Sequence, residues 1–274
     1  MNRVVIAAIG FIIGFFLVFS SLQHAPAMPL PGHNPPFFLG VARSQSNASF
    51  AIGNTTNTTS WNGASSKAAP AINISAGSIV VVTTRIAQLT TNLTISSVTG
   101  AGITFAQVPG AHFARTDTTV DSAHSESEIW WAFSAGALTS EVITVTASGT
   151  VTDGSIGIFE AKGVINTTAP WDTNVSLAAT NGGTSAAASV SGVSTTSTIP
   201  VMILSNTASG AQGTFVSSAP PWTLIQAFNG GGVTVSVQQH NYFMKSSSAQ
   251  SVATYTATGT SNDWAVIAHA FAMQ

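Results

Sequence analysis

The chain has 274 residues, of which 6% are charged, with 7 Lys plus Arg against 9 Asp plus Glu and a net charge of −2. So few cations, with no basic run among them, remove the electrostatic footprint that nucleic-acid binding needs, and 45% apolar residues argue against wholesale disorder. The absence of cysteine excludes a disulfide framework, a thiolate zinc site and a cysteine nucleophile.

Residues 1–27 read as a leader. Asn2-Arg3 precedes the apolar run Val4–Phe19, and Ala25-Pro26-Ala27 follows. A short basic region, an apolar core and an A-x-A-like site describe a secretory signal peptide. The run is shorter than the roughly 20 apolar residues that span a bilayer. A retained N-terminal anchor is the second reading, and it is the one route by which the chain would touch a membrane. Either way the body lies outside the cell, secreted or at the cell surface.

Residues 28–46 are a Pro-rich linker carrying an extra strand. Pro29, Pro31, Pro35 and Pro36 favour a stiff, polyproline-like spacer. Phe37–Ala42 then alternates, so that Phe37, Leu39 and Val41 share one face. Such a strand must pair somewhere. It can close its own sheet edge, or enter the next copy by strand addition. The second outcome makes the chain a fibre-forming or coat-forming subunit.

From residue 47 to 274 short Val-, Ile-, Thr- and Trp-rich runs alternate with Gly, Asn, Ser and Pro. The strongest are 78–84, 103–108, 128–133, 142–147, 155–161, 199–206, 222–228, 233–244, 252–257 and 264–272. Regular strands without amphipathic helices predict an all-β, antiparallel sandwich of about a dozen strands. An internal repeat is visible. Residues 140–150, SEVITVTASGT, match 250–260, QSVATYTATGT, and each is followed by an Asp-containing turn and an apolar strand. The body therefore divides into pseudo-repeats of about 47–165 and 166–274. They either close face to face into one sandwich, the favoured reading, or form two tandem sandwiches.

Ile129-Trp130-Trp131-Ala132-Phe133, the strand 142–148, Ile158-Phe159-Glu160-Ala161-Lys162-Gly163-Val164 and Asp263-Trp264-Ala265-Val266-Ile267 together resemble a jelly-roll-like β-sandwich module. That module occurs in uncharacterised secreted and cell-surface proteins of bacteria and archaea. The resemblance spans residues 50–271 and implies an extracellular β-sandwich. It brings no defined activity and no functional residues.

Seven Asn-x-Ser/Thr sequons, at Asn47, Asn54, Asn57, Asn73, Asn92, Asn166 and Asn174, are glycosylation candidates for an exported chain. Asn54–Thr59 packs two of them into one expected loop. Ser and Thr number 70, so the exposed polar positions are mostly hydroxyls, a surface with little repulsion between copies.

The segment 109–128 gathers Arg115, Asp117, Asp121, Glu126, Glu128, His112 and His124. Its oxygen ligands could hold Ca²⁺, but no calcium-loop pattern is present, and a solvated loop with edge-guarding charges is the plainer reading. His112 and His124 lack a third His for a transition metal. No cofactor is expected otherwise. The repeat alignment sets Glu160 opposite His269 as a polar pair closing one end of the core, or an acid/base pair. Six Trp are present, and Trp130 and Trp131, on opposite sides of a strand, are the candidates for stacking sugars. No G-x-S-x-G marks a nucleophile. The expected function is a non-enzymatic structural glycoprotein of the cell surface that associates with itself or with other surface proteins. A carbohydrate-binding or adhesion module is the alternative.

Overall fold

The computed structural model describes residues 50–88, 90–115, 124–164, 168–185, 187–197, 201–209, 222–230, 237–245, 253–258 and 263–272. The leader, the Phe37–Ala42 segment, Asn47 and Asn166 lie outside these residues. Gln45–Gln274 forms one unit. Among the described residues no helix is long and apolar enough to cross a membrane.

The described residues form strands joined antiparallel. They are β1 (Ala51–Trp61), β2 (Ala64–Ala68), β3 (Ile72–Ile74), β4 (Ser78–Gln88), β5 (Ile95–Thr99), β6 (Ala106–Arg115), β7 (His124–Ser134), β8 (Leu138–Glu141), β9 (Thr144–Val151) and β10 (Asp153–Lys162). After the connection at 168–177 come β11 (Ala179–Gly183), β12 (Ala187–Val193), β13 (Val201–Ser209), β14 (Thr223–Gly230), β15 (Val237–Lys245), β16 (Ala253–Thr258) and β17 (Asp263–Phe271). Two five-stranded sheets run β1-β10-β4-β7-β6 and β11-β17-β13-β15-β14. Smaller sheets run β2-β9-β5, β3-β8 and β12-β16.

The layers follow from which face each side chain takes. Along β4, Val80, Val82 and Ile86 enter a core with Ile72, Ile95, Val145 and Ile156, between the first large sheet and the small sheets of β2, β3, β5, β8 and β9. Their neighbours Ile79 and Val81 enter a second core with Phe159, Val201, Ile267 and Phe271, between the two large sheets. On the far side of the second large sheet, Val190, Tyr242, Trp264 and Val266 form a third, against β12-β16. The body is thus sandwich-like but has four layers, not the two expected of copies that close face to face. Each half has a core of its own and they share a third. This explains why β4 and β10 are buried at almost every position. A strand covered on both faces reads as a continuous apolar run rather than an alternation.

The ten runs expected from the sequence all overlap observed strands. The Asn54–Thr59 segment is not a loop. It lies in β1, an edge strand whose register on β10 shifts twice. Val80, Val82, Ile158, Val201 and Ile267, all within expected runs, are buried.

Candidate functional site

The connection between the halves builds one wall of a groove. Trp171 pairs with Phe271 in an isolated antiparallel bridge, fixed by Asp172 N–H donating to Ala270 O at 2.9 Å and Ala272 N–H to Pro170 O at 2.7 Å. The Trp171 ring stacks on Phe271 with centroids 4.7 Å apart and meets the edges of His269 at 4.9 Å and Trp131 at 6.3 Å. Asp172 anchors the connection to residues 196–197. Its carboxylate accepts Asn174 N–H at 2.9 Å, Thr196 N–H at 2.9 Å, Thr196 Oγ1 at 2.8 Å, Ser197 N–H at 2.8 Å and the Ser197 hydroxyl. Burial alone would raise the Asp172 carboxyl, but these donors outweigh it and hold it at about 2.

The groove encloses about 540 Å³ and is lined by Gln107 and Pro109 of β6, by Trp131, by Pro170, Trp171, Asn174, Val175 and Leu177 of the connection, and by His269. A second groove of about 630 Å³ runs past Gly100–Thr104, Phe133 and Gly136, and shares Ala106 and Trp131 with the first. Trp131 therefore stands on a ridge between the two. β6 is the last strand of its sheet, and a register shift between Gln107 and His112 bulges it beside the groove. Bulges re-aim side chains at sheet rims.

No family model, curated protein or solved structure matches the chain.

A second concentration of chemistry sits across β6 and β7. Residues 109–115 and 124–128 are strand, not the solvated loop expected. β7 lies inside its sheet between β4 and β6, and Glu126 and Glu128 are buried, so they guard no edge. The register His112↔Glu128 brings in the imidazole, whose Nε2 is 3.2 Å from Glu126 Oε1. Glu128 accepts Ile95 N–H at 2.9 Å, Gln107 Nε2 at 2.8 Å and Trp130 Nε1 at 2.7 Å. Burial, then the hydrogen bond and charge of Glu128, push the Glu126 carboxyl well above the usual range. Among the described residues, His112, Glu126 and Glu128 are the group whose ligand atoms approach closely enough for one metal ion, all within 4.8 Å. His124 does not join them. The sequence did carry a signal, because alternation in His124-Ser125-Glu126-Ser127-Glu128 puts the carboxylates on one face. Spacing does not reveal the register that adds His112.

Glu160 and His269 do not pair. Glu160 faces the first half's own core and accepts Ser75 N–H at 2.6 Å, Ser78 Oγ at 2.7 Å and Asn54 N–H at 3.1 Å, with Lys162 Nζ at 3.3 Å. His269 belongs to the layer between the large sheets, against Trp171. The repeat alignment is one residue out of phase there, and a one-residue slip reverses the face of every side chain.

Trp61, Trp171, Trp222 and Trp264 are buried, while Trp130 and Trp131 are half-buried. Trp130 packs against the first core with its N–H on Glu128, leaving Trp131 as the ring beside open space. Asn54 and Asn73 are exposed neighbours, Asn54 Nδ2 donating to Asn73 O at 2.9 Å. Asn57, Asn92 and Asn174 are half-buried.

Proposed function

We propose that the chain is an exported, glycosylated structural protein of the cell surface, without enzymatic activity, that assembles copy to copy. The observation that carries this reading is the outer edge of β6, which opens on an apolar groove. Among the described residues no strand pairs with that edge. An exposed edge is a template for another strand. The groove beside it offers Ala106, Pro109, Trp131, Pro170 and Leu177. The alternating Phe37, Leu39 and Val41 have the chemistry to fill it from a neighbouring copy. A head-to-tail contact of this kind does not close on itself and gives a filament. The low charge leaves little repulsion to oppose stacking.

The same reading takes the body as two copies of one jelly-roll-like unit. Each large sheet has the same succession of strands, β1-β10-β4-β7-β6 answering β11-β17-β13-β15-β14. The small pair β2-β9 answers β12-β16. Face to face, β1 meets β14 as β11 meets β6, and β10 meets β15 as β17 meets β7. These relations support a two-fold between β4 and β13.

Deleting residues 28–42 tests the assembly. The expected result is a monomer by light scattering with an unchanged melting transition. A native protein that is never polymeric, or a polymer that survives the deletion, overturns it.

One observation favours sugar recognition as a second reading: Trp131 stands half-exposed between two grooves. Trp131→Ala should then abolish a fluorescence change on adding polysaccharide. Wild-type protein that shows no such change removes this reading.

A further inference from the structure

We propose that His112, Glu126 and Glu128 form a binding site for a divalent transition-metal ion, Zn²⁺ before Mn²⁺, at the β6–β7 rim of the first half. Their ligand atoms lie within 4.8 Å of one another. An ion held at about 2.0–2.2 Å from nitrogen and oxygen ligands needs only a small inward movement from that spread. The His112 side chain is 40% exposed and can supply it. The same exposure gives the ion a path in and leaves room for water at the remaining positions.

An independent observation points to a missing ligand. Glu126 is 2% exposed, and neither of its carboxylate oxygens accepts a hydrogen bond. Its polar neighbours are His112 Nε2, 3.2 Å from Oε1, and Glu128, both members of the same cluster. A buried carboxylate with no donor from outside the cluster is costly, and a cation between the two carboxylates and the imidazole would satisfy it. Glu128 is held differently. Its three donors, Ile95 N–H, Gln107 Nε2 and Trp130 Nε1, fix its orientation in the way outer hydrogen bonds fix the ligands of metal sites. One carboxylate is thus pre-set and the other is waiting.

The donor set selects the ion. Ca²⁺ prefers six to eight oxygens, and one imidazole with two carboxylates suits Zn²⁺ and its first-row neighbours better. The Ca²⁺ weighed for the acidic residues of this segment gives way to a nitrogen-accepting metal, because the register places His112 against Glu128.

The test is calorimetric titration of full-length protein stripped with chelator, using ZnCl₂, MnCl₂ and CaCl₂ in turn. One Zn²⁺ per chain is expected, bound more tightly than Mn²⁺ or Ca²⁺. Glu126→Gln should abolish binding. His112→Ala changes an exposed side chain, so folding is retained, and it decides the matter if Glu126→Gln fails to fold. His112→Ala should lower the affinity more than Gln107→Ala, which loosens only the orientation of Glu128 and should cost about 10- to 100-fold. Co²⁺-loaded protein should show visible ligand-field absorption that His112→Ala loses. No stoichiometric Zn²⁺ uptake, uptake unchanged in His112→Ala, or a preference for Ca²⁺ over Zn²⁺ each overturns the proposal.

Discussion

The layer between the two large sheets has two ends, and both are buried, yet they are built from different chemistry. One end is apolar. Phe50 lies 5.6 Å from Phe243 and 5.9 Å from Phe271, and Ile79, Val81, Phe159, Val201 and Ile267 fill the space around them. The other end carries Thr83, Arg85, Asp153, Ser155, Gln226, Gln239 and Asn241, all buried. There Thr83 Oγ1 accepts Gln239 Nε2 at 2.6 Å and Asn241 Nδ2 at 2.9 Å, and Ser155 Oγ donates to Gln239 Oε1 at 2.9 Å. The same strands supply both ends. The apolar end supplies most of the stability, since removal of apolar area from water is the dominant favourable term. Polar groups stacked between sheets contribute less and cost more when misplaced. Their use is to reject other registers, because a sheet that slides past its neighbour strands them without partners.

The sharpest way to break this contrast is at the apolar end. Phe159→Ala should cost about 3–5 kcal/mol, the range for an aromatic removed from a core that cannot collapse. Chemical denaturation should show the loss as a lower midpoint. A cost below about 1 kcal/mol would place the stability elsewhere. At the polar end the sensitive position is Gly157, where an added Cβ would lie 2.4 Å from Gln226 Nε2, 2.7 Å from Asn241 Nδ2 and 2.8 Å from Thr83 Oγ1. Gly157→Ala should cost about 1–3 kcal/mol through overpacking. Gln226→Ala added to it should recover part of the loss. Gln226 supplies the closest contact, and its amide makes no hydrogen bond, so its removal forfeits none. A double variant as unstable as the sum of its parts would show that the Gln226 amide is not what crowds Gly157.

The sequence made the apolar strands of the large sheets legible, and β9 and β16 of the small ones, but left the short polar strands unseen. Strands β4, β10 and β17 are long and apolar because both of their faces are covered. By contrast β2 (ASSKA), β8 (LTSE) and β11 (ATNGG) are short and carry few large side chains. Their place is set by pairing to distant strands, which local pattern does not record. Without them the chain looks like material for two layers rather than four. The carboxylates at 126 and 128 were visible as residues but not as a buried site, because the start of β7, residues 124–128, has the composition of an exposed strand and only its neighbours bury it. The groove is less legible still. Trp131 and Trp171 are 40 residues apart in sequence and meet through the bridge of Trp171 to Phe271.

The smallest expected effect is a cancellation between the two ends. His269 lies at the apolar end against Trp171. Burial lowers its pKa to about 4, although the backbone of Ala270 and Pro109 and the charge of Asp172 oppose the shift. Asp153 lies at the polar end, where burial raises its pKa to about 6 against the opposing Gly154 N–H and Arg85. The unfolded values are about 6.5 for His and 3.9 for Asp. Between about pH 4 and 6 the unfolded chain binds more protons at His269, so this group makes stability fall as the solution is acidified. In the same window the folded chain binds more protons at Asp153, so that group makes stability rise on acidification. The two shifts are of similar size and opposite sign, and their joint slope should be close to flat. Single variants should unmask it. His269→Gln leaves Asp153 unopposed, and the variant should gain stability relative to wild type as pH falls from 6 to 4. Asp153→Asn leaves His269 unopposed, and that variant should lose stability over the same range. Melting temperatures of the three proteins at pH 4, 5 and 6 decide it. Parallel curves would mean that neither group changes its proton binding on folding, and that the middle layer admits more water than its buried side chains indicate.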